Sequence, residues 1–152
     1  MELSHSEPLD LPAAQAFAYA SEVTRSQALA RRRGSVLERL ETGPLVEGEV
    51  WRLHRNGKLL AIALADHQAP TGLGFEAEFK GVEVTLGLAI EPRGLDRSTL
   101  TVDLEAVARS LAGRLVLAPV ILAQTNAQAR FEKMVKKLAR KWEQDYLQAL
   151  GE

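Results

Sequence analysis

Between residues 73 and 106 the side chains alternate between apolar and polar with a period of two, through three successive segments joined by short turns. Leu73, Phe75, Ala77 and Phe79 face one way while Gly74, Glu76 and Glu78 face the other. After a turn at Lys80-Gly81, Val82, Val84, Leu86, Leu88 and Ile90 repeat the pattern against Glu83, Thr85 and Gly87. Beyond Pro92-Arg93-Gly94, Leu100, Val102, Leu104 and Ala106 oppose Thr101, Asp103 and Glu105. Successive side chains on a strand point to opposite faces, so this spacing predicts an antiparallel meander with one dry face and one wet face. A dry face of that extent has to be covered by another layer.

The segment from about Leu111 to Leu150 supplies the cover. Phe131, Val135, Leu138, Trp142 and Tyr146 recur at spacings of three and four and form a helical stripe, while Arg130, Lys133, Lys136, Lys137, Arg140 and Lys141 take most of the remaining circumference. Pro119 removes a helical hydrogen bond and crowds the preceding turn, so a break is expected near it, with the apolar Leu115–Ala123 stretch at an angle to the later helix.

Upstream, residues 2–9 read as a first strand, with Pro8 suited to an edge or an end. Asp10-Leu11-Pro12 starts a short helix over Ala13–Ala20. Thr24 and Gln27 have the spacing of a capping box for a second helix that reaches Arg32 and ends at Gly34. Ser35–Glu41, Val46–Arg55 and Lys58–Gln68 are expected strands. The last two flank Asn56-Gly57, the strongest short hairpin signal. The predicted class is α+β: a seven-stranded curved antiparallel sheet wrapped around a long C-terminal helix, in the order β-α-α-β-β-β-β-β-β-α, as one domain over residues 1–152.

Composition narrows the function classes. The 19 basic and 20 acidic residues give a net charge of −1, which offers no whole-chain electrostatic reason to bind nucleic acid or anionic lipid. There is no cysteine, so disulfides, thiolate nucleophiles and cysteine-based zinc sites are excluded. The first residues lack the basic-then-apolar pattern of a secretory signal, and no apolar run suffices for a bilayer span, so a cytoplasmic protein without stable membrane insertion is expected.

This order of elements resembles the START-like, or SRPBCC, superfamily of helix-grip proteins, which includes polyketide cyclase-like proteins, relatives of the birch-pollen allergen and lipid-transfer domains. The resemblance rests on the opening strand with Leu11-Pro12-Ala13-Ala14-Gln15-Ala16-Phe17, on Arg32-Arg33-Gly34-Ser35-Val36, on Gly48-Glu49-Val50-Trp51 and on the terminal helix at Arg130-Phe131. In detail the chain looks most like uncharacterised bacterial SRPBCC proteins. The resemblance implies a cavity between sheet and helix that holds a small hydrophobic or amphipathic molecule, lipid included. Its lining would come from Trp51, Leu60, Ile62, Phe75, Ala77, Leu86, Leu88, Val102, Leu104, Phe131, Met134 and Leu138, with the face of Trp51 turned inward. It also implies two alternatives: a polyketide cyclase or dehydratase-like enzyme, and a ubiquinone-binding or co-chaperone-like interaction protein. No cofactor is called for.

Other constellations are weaker signals. His5, His54 and His67 lie on three different strands with no ligand spacing, so no metal site is expected. Asp66 and His67, as strand neighbours, should point to opposite faces, which argues against a catalytic pair. Asp103 and Glu105 share the wet face. Arg52 and His54 share the face opposite Trp51; turned inward, Arg52 would suit an acidic ligand head. An enzyme would need Arg52, His54 and Asp66 to converge in one cleft. Nucleotide-loop and nucleophile-elbow motifs are absent. Arg31-Arg32-Arg33 and the basic stretch 130–141 lack interleaved aromatics for base stacking and read as solvated surface.

Overall fold

The computed structural model describes all residues, Met1–Glu152. Its elements in chain order are β1 (Glu2–Leu9), α1 (Ala13–Ser21), α2 (Val23–Arg32), β2 (Val36–Arg39), β3 (Val50–Arg55), β4 (Lys58–Gln68), β5 (Gly72–Phe79), β6 (Val82–Pro92), β7 (Ser98–Ala108), α3 (Leu111–Leu122) and α4 (Gln124–Leu150). The strands form one antiparallel sheet in the order β1-β7-β6-β5-β4-β3-β2. The alternation maps onto it directly. Leu3, Leu104, Leu86, Phe75 and Leu64 form one cross-strand row of the inner face. Asn56 and Gly57 both adopt positive φ, 51° and 74°, as the two-residue β3–β4 turn requires.

Helix α4 lies on the dry side, over the β1 margin rather than the middle of the sheet. Its buried Phe131, Val135, Ala139 and Trp142 join Leu3, Leu9, Leu11, Leu100 and Val102 in the main core cluster. Its polar side chains cover the open edge of β1. Gln124 Nε2 donates to the Glu2 carbonyl (3.4 Å), Gln128 Nε2 to Ser4 (2.9 Å) and Arg140 Nη2 to Pro8 (2.9 Å), while the Asp10 N–H donates to Glu143 (2.7 Å). These carbonyls belong to alternate residues, the ones that do not face β7, so the helix satisfies backbone groups that an edge strand would otherwise leave bare.

Helix α1 closes the far end of the inner face. Ala16 and Tyr19 are buried in the main cluster, and Phe17 and Ala20 also touch a second one formed by Leu37, Leu45, Trp51, Leu64 and Leu73. Tyr19 packs on Trp142 at 6.5 Å between ring centroids and carries the Arg25 guanidinium 4.0 Å above its ring. Arg25 also pairs with Glu22 (2.6 Å) and with Asp145. Asp145 is held below the ordinary carboxylate range: burial pushes the other way, but hydrogen bonds from Lys141 and Arg25 outweigh it.

Three local expectations are corrected. Helix α2 begins at Val23 without a side-chain cap, so Thr24 and Gln27 form no capping box. Glu22 alone joins α1 to α2 and serves as C-cap of one and N-cap of the other, which puts Thr24 inside the first turn. Strands β2 and β3 are shorter than expected because side-chain bonds of Arg39 and Glu49 shape the loop between them, and only Gly48 and Glu49 bond to the backbone of β4, at Leu64. The helix break falls at Ala123 rather than Pro119, which remains inside α3.

Helix α3 docks over Val82 and Ala106 through Leu117 and Gly113. Gly113 is required there, since a Cβ at this position would collide with the Gly81 carbonyl, which is rigid backbone. Gly113→Ala is therefore expected to cost about 1–3 kcal/mol, read as a shift in the denaturant midpoint. No change in midpoint would show that α3 does not seat against the β5–β6 turn.

Candidate cleft on the inner face of the sheet

A compact monomer of 16.7 kDa exposes about 7,600 Å². This chain exposes 9541 Å², and only 25 of its 152 residues are buried. Part of the excess is α3, whose Leu111, Leu115 and Leu122 are 75%, 72% and 90% exposed. At 100° per residue these three fall on one stripe opposite Gly113 and Leu117. The rest of the excess includes the inner face itself.

The twelve residues expected to line a cavity divide into three groups. Trp51, Val102 and Phe131 are buried in packed clusters. Leu60, Ile62, Phe75, Ala77, Leu86, Leu88, Leu104 and Leu138 are half-buried. Met134, on α4, is 40% exposed. The nine strand residues among them share the inner face, as register shows: Trp51 pairs with Ile62 and Ile62 with Ala77, Phe75 with Leu86 and Leu86 with Leu104, Leu88 with Val102. The middle of this apolar face, over β4, β5 and β6, is thus only partly covered, because α4 stands over β1.

At the α1–α2 end lies a hollow of about 460 Å³, lined by Phe17, Ser21, Val23, Thr24, Arg39, Gly43, Pro44, Leu45, His67 and Ala69. None of the twelve lines it. His67 comes to the inner face through a bulge in β4: Leu64 pairs with Phe75, Ala65 is skipped, and His67 pairs with Leu73. Its ring stacks on Phe17 at 6.0 Å and 22°. Asp66 takes the other face, as adjacency in a strand requires.

The loop at the mouth of this hollow is fixed by a buried ion pair. Arg39 forks onto Glu49, Nε to Oε2 (2.7 Å) and Nη2 to Oε1 (3.0 Å), and also donates to the carbonyls of Gly43 (2.8 Å) and Pro44 (3.1 Å). Glu49 further accepts from Trp51 Nε1 (2.8 Å) and from the Val46 N–H (2.8 Å). Burial alone would raise the Glu49 pKa, but the hydrogen bonds and charge of Arg39, with those of Val46 and Trp51, bring it down to about 2. This network explains the short β2 and β3, and it occupies the one arginine of the inner rim.

The groups an enzyme would have needed together stand apart. Arg52 and His54 are exposed on the outer face, 4.0 and 3.9 Å from Glu38, and Asp66 lies on that face too. Asp103 accepts from Ser4 (2.5 Å) on the wet side. With Glu2, Asp66, Glu76 and Glu105 it borders an outer trench of about 470 Å³, floored at Gly74 and Gly87. Phe75, Leu86 and Leu104 contribute to that floor between outward neighbours.

Two inward polar residues were not expected on the apolar face: the sequence singles out His5 only as a candidate metal ligand, and Glu7 not at all. In β1 the alternation Leu3, His5, Glu7, Leu9 puts His5 and Glu7 on the apolar face. Glu7 is buried, and His5 Nε2 is buried without a hydrogen-bond partner. The signal was present in the period of two, but polar letters between leucines do not declare a buried face.

No protein-family profile and no curated protein matches the sequence. Solved structures do. DynU16, a putative protein in the dynemicin biosynthetic locus, superposes with a TM-score of 0.63 at 20% identity over 93% of this chain; the chain spans 47% of that protein. The Zhui aromatase/cyclase from a Streptomyces species gives 0.63 at 16% identity, covering 93% of this chain and 94% of that one. Norcoclaurine synthase from Thalictrum flavum gives 0.63 at 14% identity, with 93% and 94% covered. The chain has the START-like, polyketide cyclase-like helix-grip fold. At these identities the likeness shows the fold alone.

Proposed function

We propose that the protein binds a small hydrophobic or amphipathic molecule against the inner face of its sheet, beside α4. The observation that carries this reading is the apolar strip over β4, β5 and β6, half-buried although a helix is packed on the same side of the sheet. Its support is threefold: the partly open core, the 460 Å³ hollow at its end, within the size range of ligand sites, and proteins of the same fold that are named for acting on small molecules, such as Zhui and norcoclaurine synthase. The dispersal of Arg52, His54 and Asp66 disfavours the cyclase-like alternative. Native mass spectrometry of protein purified from cells is expected to show an added mass that organic extraction removes. Protein that is always free of added mass, and that takes up none from an offered lipid extract, counts against the reading.

The interaction-protein alternative draws on one feature, the leucine stripe of α3. Three leucines side by side in solvent are unusual for a monomer. Leu115→Ser with Leu122→Ser should leave stability unchanged within about 0.5 kcal/mol while abolishing any self-association detected by analytical ultracentrifugation. A wild-type protein that stays monomeric at high concentration removes self-association from this reading.

A further inference from the structure

His5 and Glu7 are the polar pair on the inner face of β1. Their side chains retain 18% and 12% of their surface, and His5 Nε2 lies 3.6 Å from Glu7 Oε1. That separation is too long for a hydrogen bond. Nε2 has no other partner, and no lysine or arginine pairs with Glu7, whose one ionisable neighbour within 4 Å is His5. Buried polar groups are nearly always satisfied, so a histidine with an idle nitrogen beside an unbonded carboxyl, in an apolar wall, calls for a third group.

Register fixes where the pair stands. His5 pairs with Val102, Val102 with Leu88, Leu88 with Leu73, and Leu73 with His67. The row is therefore apolar in its middle and polar at both ends, and at about 4.8 Å per strand it is up to about 19 Å long. The half-buried Leu88 keeps the centre of this row accessible.

We propose that His5 and Glu7 form the polar anchor of the cleft, holding the hydroxyl of an otherwise apolar, uncharged ligand. This rests on the cleft reading above. An oxygen about 2.8 Å from both atoms sits at the apex of a triangle on the 3.6 Å base. There a hydroxyl accepts from His5 Nε2–H and donates to Glu7 Oε1, and a slight tilt of the imidazole brings Nε2 out to meet it. A ligand carboxylate or phosphate finds no such place. It has no proton to donate and brings a like charge against Glu7 in a poorly solvated wall. The inner rim's arginine, Arg39, is already committed to Glu49. The anchor therefore selects alcohols over acids of the same chain length.

The test uses the whole protein with the uncharged dye N-phenylnaphthylamine, displaced by decanol and by decanoic acid at neutral pH. Decanol is expected to displace dye at about tenfold lower concentration than decanoate, the worth of one charge-assisted hydrogen bond. Glu7→Gln, close in size, should shrink that ratio to about twofold or less, both displacements being read against the variant's own dye affinity. His5→Phe should weaken decanol relative to the variant's own dye affinity. In the wild type, adding decanol should also move the His5 imidazole resonance in nitrogen NMR. Equal displacement by alcohol and acid, or a preference that Glu7→Gln leaves untouched, overturns the anchor while the cleft stands. Dye that never enters the wild-type protein overturns both.

Discussion

Glu49→Ala is expected to destabilise the protein by about 3–5 kcal/mol, enough to lower Tm by roughly 10 °C. The side chain of Glu49 is 1% exposed and that of Arg39 11%. Removing the carboxylate leaves a buried guanidinium without its fork partner, and frees the Trp51 indole N–H and the Val46 N–H at the same time. Breaking one side of a buried pair costs far more than the net worth of the pair, because the surviving charge is stranded. The loop 40–49 then loses its carboxylate ties to Arg39 and Val46, keeping the backbone bonds of Gly48 and Glu49 to Leu64, and the mouth of the hollow loosens. Acid has the same effect by another route. The folded-state pKa of Glu49 is about 2, below its ordinary 4.5. The stabilisation from this group is therefore complete above about pH 4.5 and is lost as pH falls from there toward 2. Acid unfolding of the wild type should steepen in that window, and Glu49→Gln should be less stable throughout and flatter across it. Urea midpoints measured from pH 7 downward check both statements. An unchanged midpoint in Glu49→Ala would show the network to be ornamental.

Trp142→Ala should cost a comparable amount, about 3–5 kcal/mol. The indole is 4% exposed and sits among Leu9, Leu11, Tyr19 and Ala139, where α1 meets the far end of α4. Its loss opens a cavity that backbone on three elements cannot close, and it removes the ring on which Tyr19 packs. Because Tyr19 in turn supports Arg25, the Arg25–Asp145 contact should loosen too. Chemical denaturation reads the loss directly. A cost under about 1 kcal/mol would mean that α4 is not docked at its C-terminal half, in conflict with the fold described above.

Much of this architecture was legible because its signals are periodic. The alternation from Leu73 to Ala106 gave three strands and their inward faces, and the stripe Phe131, Val135, Trp142 gave the covering helix. Asn56-Gly57 gave the β3–β4 hairpin through backbone chemistry alone. What escaped was decided by single long-range contacts. Thr24 and Gln27 have capping-box spacing, but Glu22 leaves no room for a cap before Val23. The ends of β2 and β3 depend on Arg39 reaching Gly43, Pro44 and Glu49. The position of α4 over β1 depends on Gln124, Gln128 and Arg140 finding edge carbonyls, which no helical stripe reveals. The same holds for the candidate site. That Leu60, Ile62, Phe75 and Leu86 face inward was readable; that they remain half-covered follows from where α4 sits. His67 reaches the inner face through a bulge at Ala65, and His5 and Glu7 through an alternation whose buried side is set only by the fold.

The central claim is that the inner face is open enough to admit a guest, and uptake of N-phenylnaphthylamine by the purified protein tests it most directly. Saturable binding with a blue-shifted emission is expected, and Leu88→Trp, which fills the middle of the row, should weaken it by about tenfold or more at unchanged melting temperature. Emission that stays at its aqueous value at every protein concentration, or saturable binding that Leu88→Trp leaves unaltered, would contradict the account.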